Sequence, residues 1–276
     1  MNQNLKKILI KSKKQVFSEV SGNNSSKLKG EGYDFLELKE YEYGEDVKNI
    51  DWTISAKLRR PYVKVFHAQK ELNINIVPIL NGSLYFGTSK FKQETLTEIC
   101  SILAYSSIKQ GDPFFSFIAN EELEILTKKS KKLSSVITMS EYIYNYNVLN
   151  KKAEYKKICD ELFKTIKKKS IIFLIGDFFN IKDLDLKILS KKHELFLIVV
   201  RDRFEENPTA LGKISLTDTT YGLDYDGVID NESIKNYKAF VKQNDHKLFL
   251  HLQKCGIKFV KVYTNEEPIS KLMGII

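Results

Sequence analysis

Cysteine is scarce in this 276-residue chain: Cys100, Cys159 and Cys255 are odd in number and far apart. They form no CxxC pair and no ligand cluster with the four histidines. That argues against a disulfide framework or a structural zinc site and fits a reducing compartment. Each falls on the apolar face of an expected helix, where cysteine serves as a small buried hydrophobe. Long apolar runs are missing as well; nothing approaches the ~20 residues that a bilayer-crossing helix needs. The first twenty residues, MNQNLKKILIKSKKQVFSEV, interrupt their apolar residues too often for a signal segment. A cytoplasmic protein with no transmembrane segment is expected. Arginine is rare too, with only Arg59, Arg60, Arg201 and Arg203, although the formal charge is +9. The excess is lysine, which is scattered and in part clustered at expected helix C-termini such as Lys167, Lys168 and Lys169. Lysine lacks the fork that reads guanine or grips phosphate, so nucleic-acid binding is only an alternative here.

What the chain does have is alternation. After an amphipathic helix at 3–20 and a Gly-, Ser- and Asn-rich loop at 21–32, short strand signals at 34–41 and 61–67 flank a turn-prone EYGEDVKNID. They predict a small β-containing appendage over residues 1–70. From residue 71 the pattern is regular, with strands expected at 72–80, 113–119, 123–126, 171–176, 194–200 and 257–263. Helices are expected at 92–109, 153–168, 182–191 and 233–254, with a short one opening at TNEEP, while 201–230 reads as polar and turn-rich. The clearest helix carries Tyr155, Ile158, Cys159, Leu162, Phe163 and Ile166 at i, i+3, i+4, i+7, i+8 and i+11. Strands separated by helices predict an α/β domain over 71–276, a mostly parallel sheet with helices on both faces. In such sheets ligands sit beyond the carboxyl ends of the strands, which points to the loops after Leu80, Gly176 and Val200.

Enzyme signatures do not occur: there is no GxGxxG between strand and helix, GxxxxGK[ST], GxSxG or HExxH. His67, His193, His246 and His251 are scattered, and the last two are five apart, off the i, i+4 spacing of paired metal ligands. Asp224 and Asp226 sit in a GLDYDG turn. No catalytic residue is assigned.

The informative segment runs from Tyr33 to Leu80. Tyr41, Gly44, Glu45-Asp46-Val47, Ile50-Asp51-Trp52, Ala56 and Tyr62-Val63-Lys64 resemble the signature of the domain-of-unknown-function 58 family. SSKLKGEGYDF, KQGDPFF, SIIFLIGDFF and RDRFEENPTALG resemble further family segments, so the likeness spans roughly residues 20–265. The IDW phrase has two readings. Trp52 either pins the appendage to the core, with Asp46 and Asp51 bonding turn backbone or pairing with Lys48, Lys57 or Arg59, or it belongs to a surface that a partner recognises.

The resemblance implies a von Willebrand factor A-like, Rossmann-type domain. In many such domains a DxSxS loop, a threonine and a later aspartate hold magnesium. In this chain Ile79-Leu80-Asn81-Gly82-Ser83 aligns with the loop and Ala153 with the threonine, leaving Ser83 and Asp177. That is a degenerate adhesion-site set, and no metal or other cofactor is expected. Asn81, Gly82, Ser83 and Asp177 are the expected partner-binding residues; Ser83 and Asp177 also suit helix caps. The family likeness further implies a non-enzymatic adaptor that works with a MoxR-type AAA+ ATPase and a client protein. The rival readings are a lysine-rich nucleic-acid binder and a metal-dependent hydrolase built on Asp46, Asp51 and Asp177.

Overall fold

The computed structural model describes residues 2–23, 35–66 and 71–275; His67 and the loop around 24–34 lie outside the described residues. Its compact units are residues 20–71 on one hand and 1–19 with 72–276 on the other.

The larger unit contains a six-stranded sheet. Its strands are β3 (Ile74–Pro78), β4 (Phe114–Ala119), β5 (Leu123–Ser130), β6 (Ile171–Gly176), β7 (Glu194–Arg201) and β10 (Lys258–Tyr263), in the order β10-β7-β6-β3-β4-β5. Only β5 runs antiparallel, paired with β4. The sheet is therefore the mostly parallel α/β sheet that the sequence predicts. Successive residues of one strand point to opposite faces. Phe173, Ile175, Phe196, Ile198 and Val200 accordingly pack into one core cluster. Ile172, Leu174, Leu195, Leu197 and Val199 pack into the other. Burial on both faces is why these strands read as unbroken apolar runs.

Helices α1 (Gln3–Asn23), α3 (Lys92–Lys109), α4 (Leu133–Asn145) and α9 (Pro268–Leu272) supply the first cluster. The second is filled by α5 (Tyr155–Thr165), α6 (Lys187–Lys192) and α8 (Asn231–Lys254). Leu5, Leu9 and Val16 of α1 are core residues of this unit. Residues 1–19 thus group with the sheet, and an appendage running from residue 1 to 70 is corrected to 20–71.

The segment expected to be only polar and turn-rich holds a short α7 (Arg203–Glu206) and an antiparallel hairpin, β8 (Gly212–Thr217) with β9 (Asp224–Ile229). Both strands are largely exposed, and their apolar alternation is short, Ile214 and Leu216 in one and Tyr225 and Ile229 in the other, between turn-type residues.

In the smaller unit β1 (Phe35–Glu40) pairs antiparallel with β2 (Tyr62–Phe66), and α2 (Trp52–Leu58) lies on the connection between them. Gly44 takes φ 107°, a left-handed value that residues with a side chain rarely adopt. Asp46 caps the 3-10 turn Val47–Asn49 by accepting from Lys48 N at 3.0 Å. Asp51 caps α2, accepting from Thr53 N and Ile54 N, and pairs with Lys64 at 3.0 Å. Those hydrogen bonds, first from Ile54 and then from Lys64, hold its carboxyl below the ordinary value. Both aspartates thus bond turn backbone, as one alternative had it, and the charge partner of Asp51 is Lys64 of β2 rather than Lys48, Lys57 or Arg59. Trp52 itself is 69% exposed. Within the smaller unit it is therefore not a buried packing residue.

Candidate functional site

Strand order reverses direction between β3 and β6. From β3 the chain moves to β4 on one side, while β6, β7 and β10 extend to the other. The loops that leave the carboxyl ends of β3 and β6 therefore diverge, and a crevice opens there. Asn81, Gly82 and Ser83 follow β3 and Asp177 follows β6, so the expected residues do share the switch point.

Charge dominates its floor. Lys92, in the first turn of α3, is wholly buried, and its ammonium lies 3.3 Å from Asp177 Oδ2 and 2.5 Å from Glu205 Oε1. Arg201 ends β7 and is also wholly buried. Its Nε donates to the Asp177 carbonyl (2.8 Å), and its Nη2 donates to the Phe178 carbonyl (3.4 Å) and to Asp245 Oδ1 (3.0 Å). Phe178 makes this possible by holding the left-handed φ of 48°, which turns the chain after β6. Lys261 then joins Asp245 to Glu206 at 2.6 Å each, and the Tyr263 hydroxyl donates to Glu206 at 2.8 Å. Asp202 closes the far side. It accepts from Thr88 N, Phe204 N and the Thr264 hydroxyl, in a capping box with Glu205.

Burial pushes the Asp177 carboxyl up, but the Lys92 and Arg201 charges outweigh it and hold the group below its ordinary value. Glu205 goes the other way, because burial exceeds the help from Lys92 and raises it. The two shifts have opposite consequences for stability. The Asp177 contribution is present above the ordinary aspartate value and is lost as pH falls through the depressed one. The Glu205 contribution is present below about pH 4.3, the ordinary glutamate value, and is lost as pH rises through the raised one. Glu205→Gln should therefore become more favourable relative to the parent as pH rises above about 4.3, by at most about 1.4 kcal/mol per pH unit. Urea unfolding across that range reads the difference, and a pH-independent offset would show that Glu205 is not strained by burial.

A divalent cation does not fit this floor. Asp177 already faces an ammonium, the Ser83 hydroxyl donates to Asn81 Oδ1 at 2.8 Å, and Ile79 is buried apolar core. Among the described residues no group of three or more His, Cys, Asp or Glu side chains is placed to hold a metal. The carboxylates of the hydrolase reading are all committed: Asp46 and Asp51 cap helices, and Asp177 is 1% exposed beside Lys92. Cysteine nucleophiles fare no better, since burial pushes the Cys100 thiol far up and the Cys159 thiol to about 12.

Two of the four expected contact residues are out of reach of a partner. Asp177 is enclosed by the network, and Gly82 lies under the β8–β9 turn, where an added Cβ would stand 2.2 Å from the Thr219 carbonyl oxygen. Asn81 and Ser83 are half-buried and line a polar cleft of about 430 Å3 with Lys152, Asp183, Glu205 and Tyr237. On the other side of Ser83, Glu205 and Tyr237 lies an apolar groove of about 570 Å3.

Lys92, Arg201 and Glu205 had no role in the sequence reading. Two signals pointed to them. Lys92 sits at a helix N-terminus, where the dipole disfavours a cation, and Arg201 is one of only four arginines, at the end of an apolar strand.

Fold and site together define an α/β domain whose switch point is closed by its own ion pairs. The family described as "Protein of unknown function DUF58" has a sequence model that matches residues 37–247, and the chain belongs to that family. Uncharacterized proteins of Mycobacterium bovis and Mycobacterium tuberculosis are 19% identical over 274 residues, covering 96% of this chain and 85% of theirs. The conserved hypothetical protein BatB of Bacteroides thetaiotaomicron gives a TM-score of 0.46 at 9% identity, over 73% of this chain and 95% of its own. An aerotolerance-related membrane protein of Bacteroides fragilis gives 0.46 at 9% identity, over 74% and 96%. In this chain, among the described residues, no helix is long and apolar enough to cross a membrane.

Proposed function

We propose that this chain is a non-enzymatic adaptor, a von Willebrand factor A-like domain that binds protein partners without a metal. One observation carries the reading: the ammonium of Lys92 stands between Asp177 and Glu205, where catalysis or cation binding would need an uncommitted carboxylate. A fixed buried cation cannot exchange with substrate, yet it holds the loops of the switch point rigid. Binding surface is available elsewhere. Trp52 of the family signature is exposed, as is Tyr43 beside that signature, and large apolar residues exposed to water are candidate interaction sites.

The partner proposed is a MoxR-type AAA+ ATPase acting with a client protein, as the family resemblance implies. Co-purification of the full chain with such an ATPase, with and without nucleotide, tests it. Trp52→Ala should leave stability within about 0.5 kcal/mol, as for other exposed positions, while weakening capture. No association in either nucleotide state would remove the ATPase as a partner.

A further inference from the structure

The chain is strongly basic overall, but residues 204–232 are not. They carry seven acidic residues, Glu205, Glu206, Asp218, Asp224, Asp226, Asp230 and Glu232, against the single Lys213, in a chain of net charge +9. The last five acids are exposed, and among the described residues none of them is in an ion pair with Lys or Arg. Exposed large apolar side chains gather in the same stretch: Leu211, Leu216, Tyr221, Leu223, Tyr225 and Val228.

Within the hairpin, register sorts most of these side chains; Val228, opposite Lys213, shares the acidic face. Leu216 faces Tyr225 across the hairpin and Ile214 faces Gly227, while Thr217 faces Asp224 and Ser215 faces Asp226. Side chains alternate between faces along a strand. One face of the hairpin therefore presents Leu216, Tyr225 and Ile229, all of which line the 570 Å3 groove with Phe204, Ile234 and Tyr237. The opposite face presents Asp224 and Asp226, which accept from the Thr217 and Ser215 hydroxyls. β8 and β9 also form a sheet by themselves, paired to no third strand among the described residues. A lone hairpin is marginal in water, and a third strand with an apolar face is what stabilises one.

We infer that this groove is completed by an extended segment of a partner polypeptide in which apolar and basic residues alternate. The segment adds to the hairpin edge as a strand, its leucine- or phenylalanine-type side chains entering the groove and its lysines or arginines meeting Asp224 and Asp226. Main-chain hydrogen bonds supply affinity in this mode, and alternate side chains supply specificity. The inference rests on the adaptor reading and adds where the partner binds and what chemistry it has.

Fluorescence anisotropy tests it, using the full chain and a labelled heptapeptide that alternates lysine with leucine and phenylalanine. Two control peptides replace lysine by glutamate, or the apolar residues by serine. Saturable binding is expected only for the first peptide, weakening with salt because the charges involved are exposed. Leu216→Asp and the paired Asp224→Lys, Asp226→Lys variant should each weaken binding about tenfold or more. Phe240→Ala, an exposed residue outside the groove lining, should not change it. Equal binding of the glutamate peptide, no saturation with the first peptide, or indifference to both groove variants would overturn the assignment. So would concentration-dependent self-association that Leu216→Asp abolishes, since the groove would then belong to a second copy. Capture of the ATPase or of a client by a chain that binds no peptide would leave the adaptor reading standing and remove only the groove.

Discussion

Lys92→Met should be among the most destabilising single substitutions in the sheet domain, lowering the unfolding free energy by about 3–5 kcal/mol. The reason is asymmetry. Lys92 and Asp177 are 0% and 1% exposed, so removing the ammonium leaves one deeply buried carboxylate, and the largely buried Glu205, with no cation at 2.5–3.3 Å. Methionine keeps most of the volume, which separates the charge effect from a cavity effect. Adding Asp177→Asn to the Lys92→Met background should return part of the loss, because the uncompensated charge goes with it. The two changes are then non-additive, as expected for residues in one network. Chemical denaturation of the four proteins of this cycle gives the coupling directly. A loss below about 1 kcal/mol for Lys92→Met would mean that water reaches Asp177 and that the site is not closed as described.

Gly82→Ala should unseat the β8–β9 hairpin. The added methyl would meet the Thr219 carbonyl at 2.2–2.5 Å and Thr220 Cα at 2.7 Å, all backbone atoms that no side-chain rotation can move. That turn is held where it is: Asn150 N donates to the Thr219 carbonyl at 2.9 Å, and Gly82 N donates to Lys151 O at 2.9 Å. Either the turn lifts or the loop after β3 shifts, and the exposed hairpin is the softer of the two. Overpacking of this kind costs about 1–3 kcal/mol. Hydrogen exchange supplies the specific readout: amides of 212–229 should lose protection while those of β6 and β7 keep theirs. Unchanged protection in the hairpin would show that the loop after β3 absorbs the methyl instead. The same variant should weaken the alternating lysine peptide, because the groove wall moves with the hairpin.

Most of the sheet domain was legible in the sequence because its elements carry their own periodicity. Helix α3 spans 92–109 as expected, β6 spans 171–176, and β7 is one residue longer than expected. These segments bury either a stripe or both faces, so local order reports tertiary environment. Helix α4 had no counterpart in the sequence reading: its Val136, Ile137, Thr138 and Ile143 are β-branched, and its start has no side-chain cap. The hairpin escaped for the opposite reason, since its apolar residues line a groove and contribute to no closed core. Of the four expected contact residues, all reach the switch point, but the overlying turn and the buried network withdraw Gly82 and Asp177 from solvent.

Sequence by itself determined the order of the six sheet strands and of most helices around them, the family, and the unsuitability of Ile79 and Ala153 as metal ligands, because each is a property of residue type and near-neighbour spacing. Tertiary structure alone decided what fills the floor of the switch point. Lys92 meets Asp177 and Glu205 across 85 and 113 residues of chain. No local pattern specifies such a contact; it exists because a parallel sheet brings the carboxyl ends of β3, β6 and β7 together. Once there, an ammonium and two carboxylates largely removed from water have no acceptable state except one another.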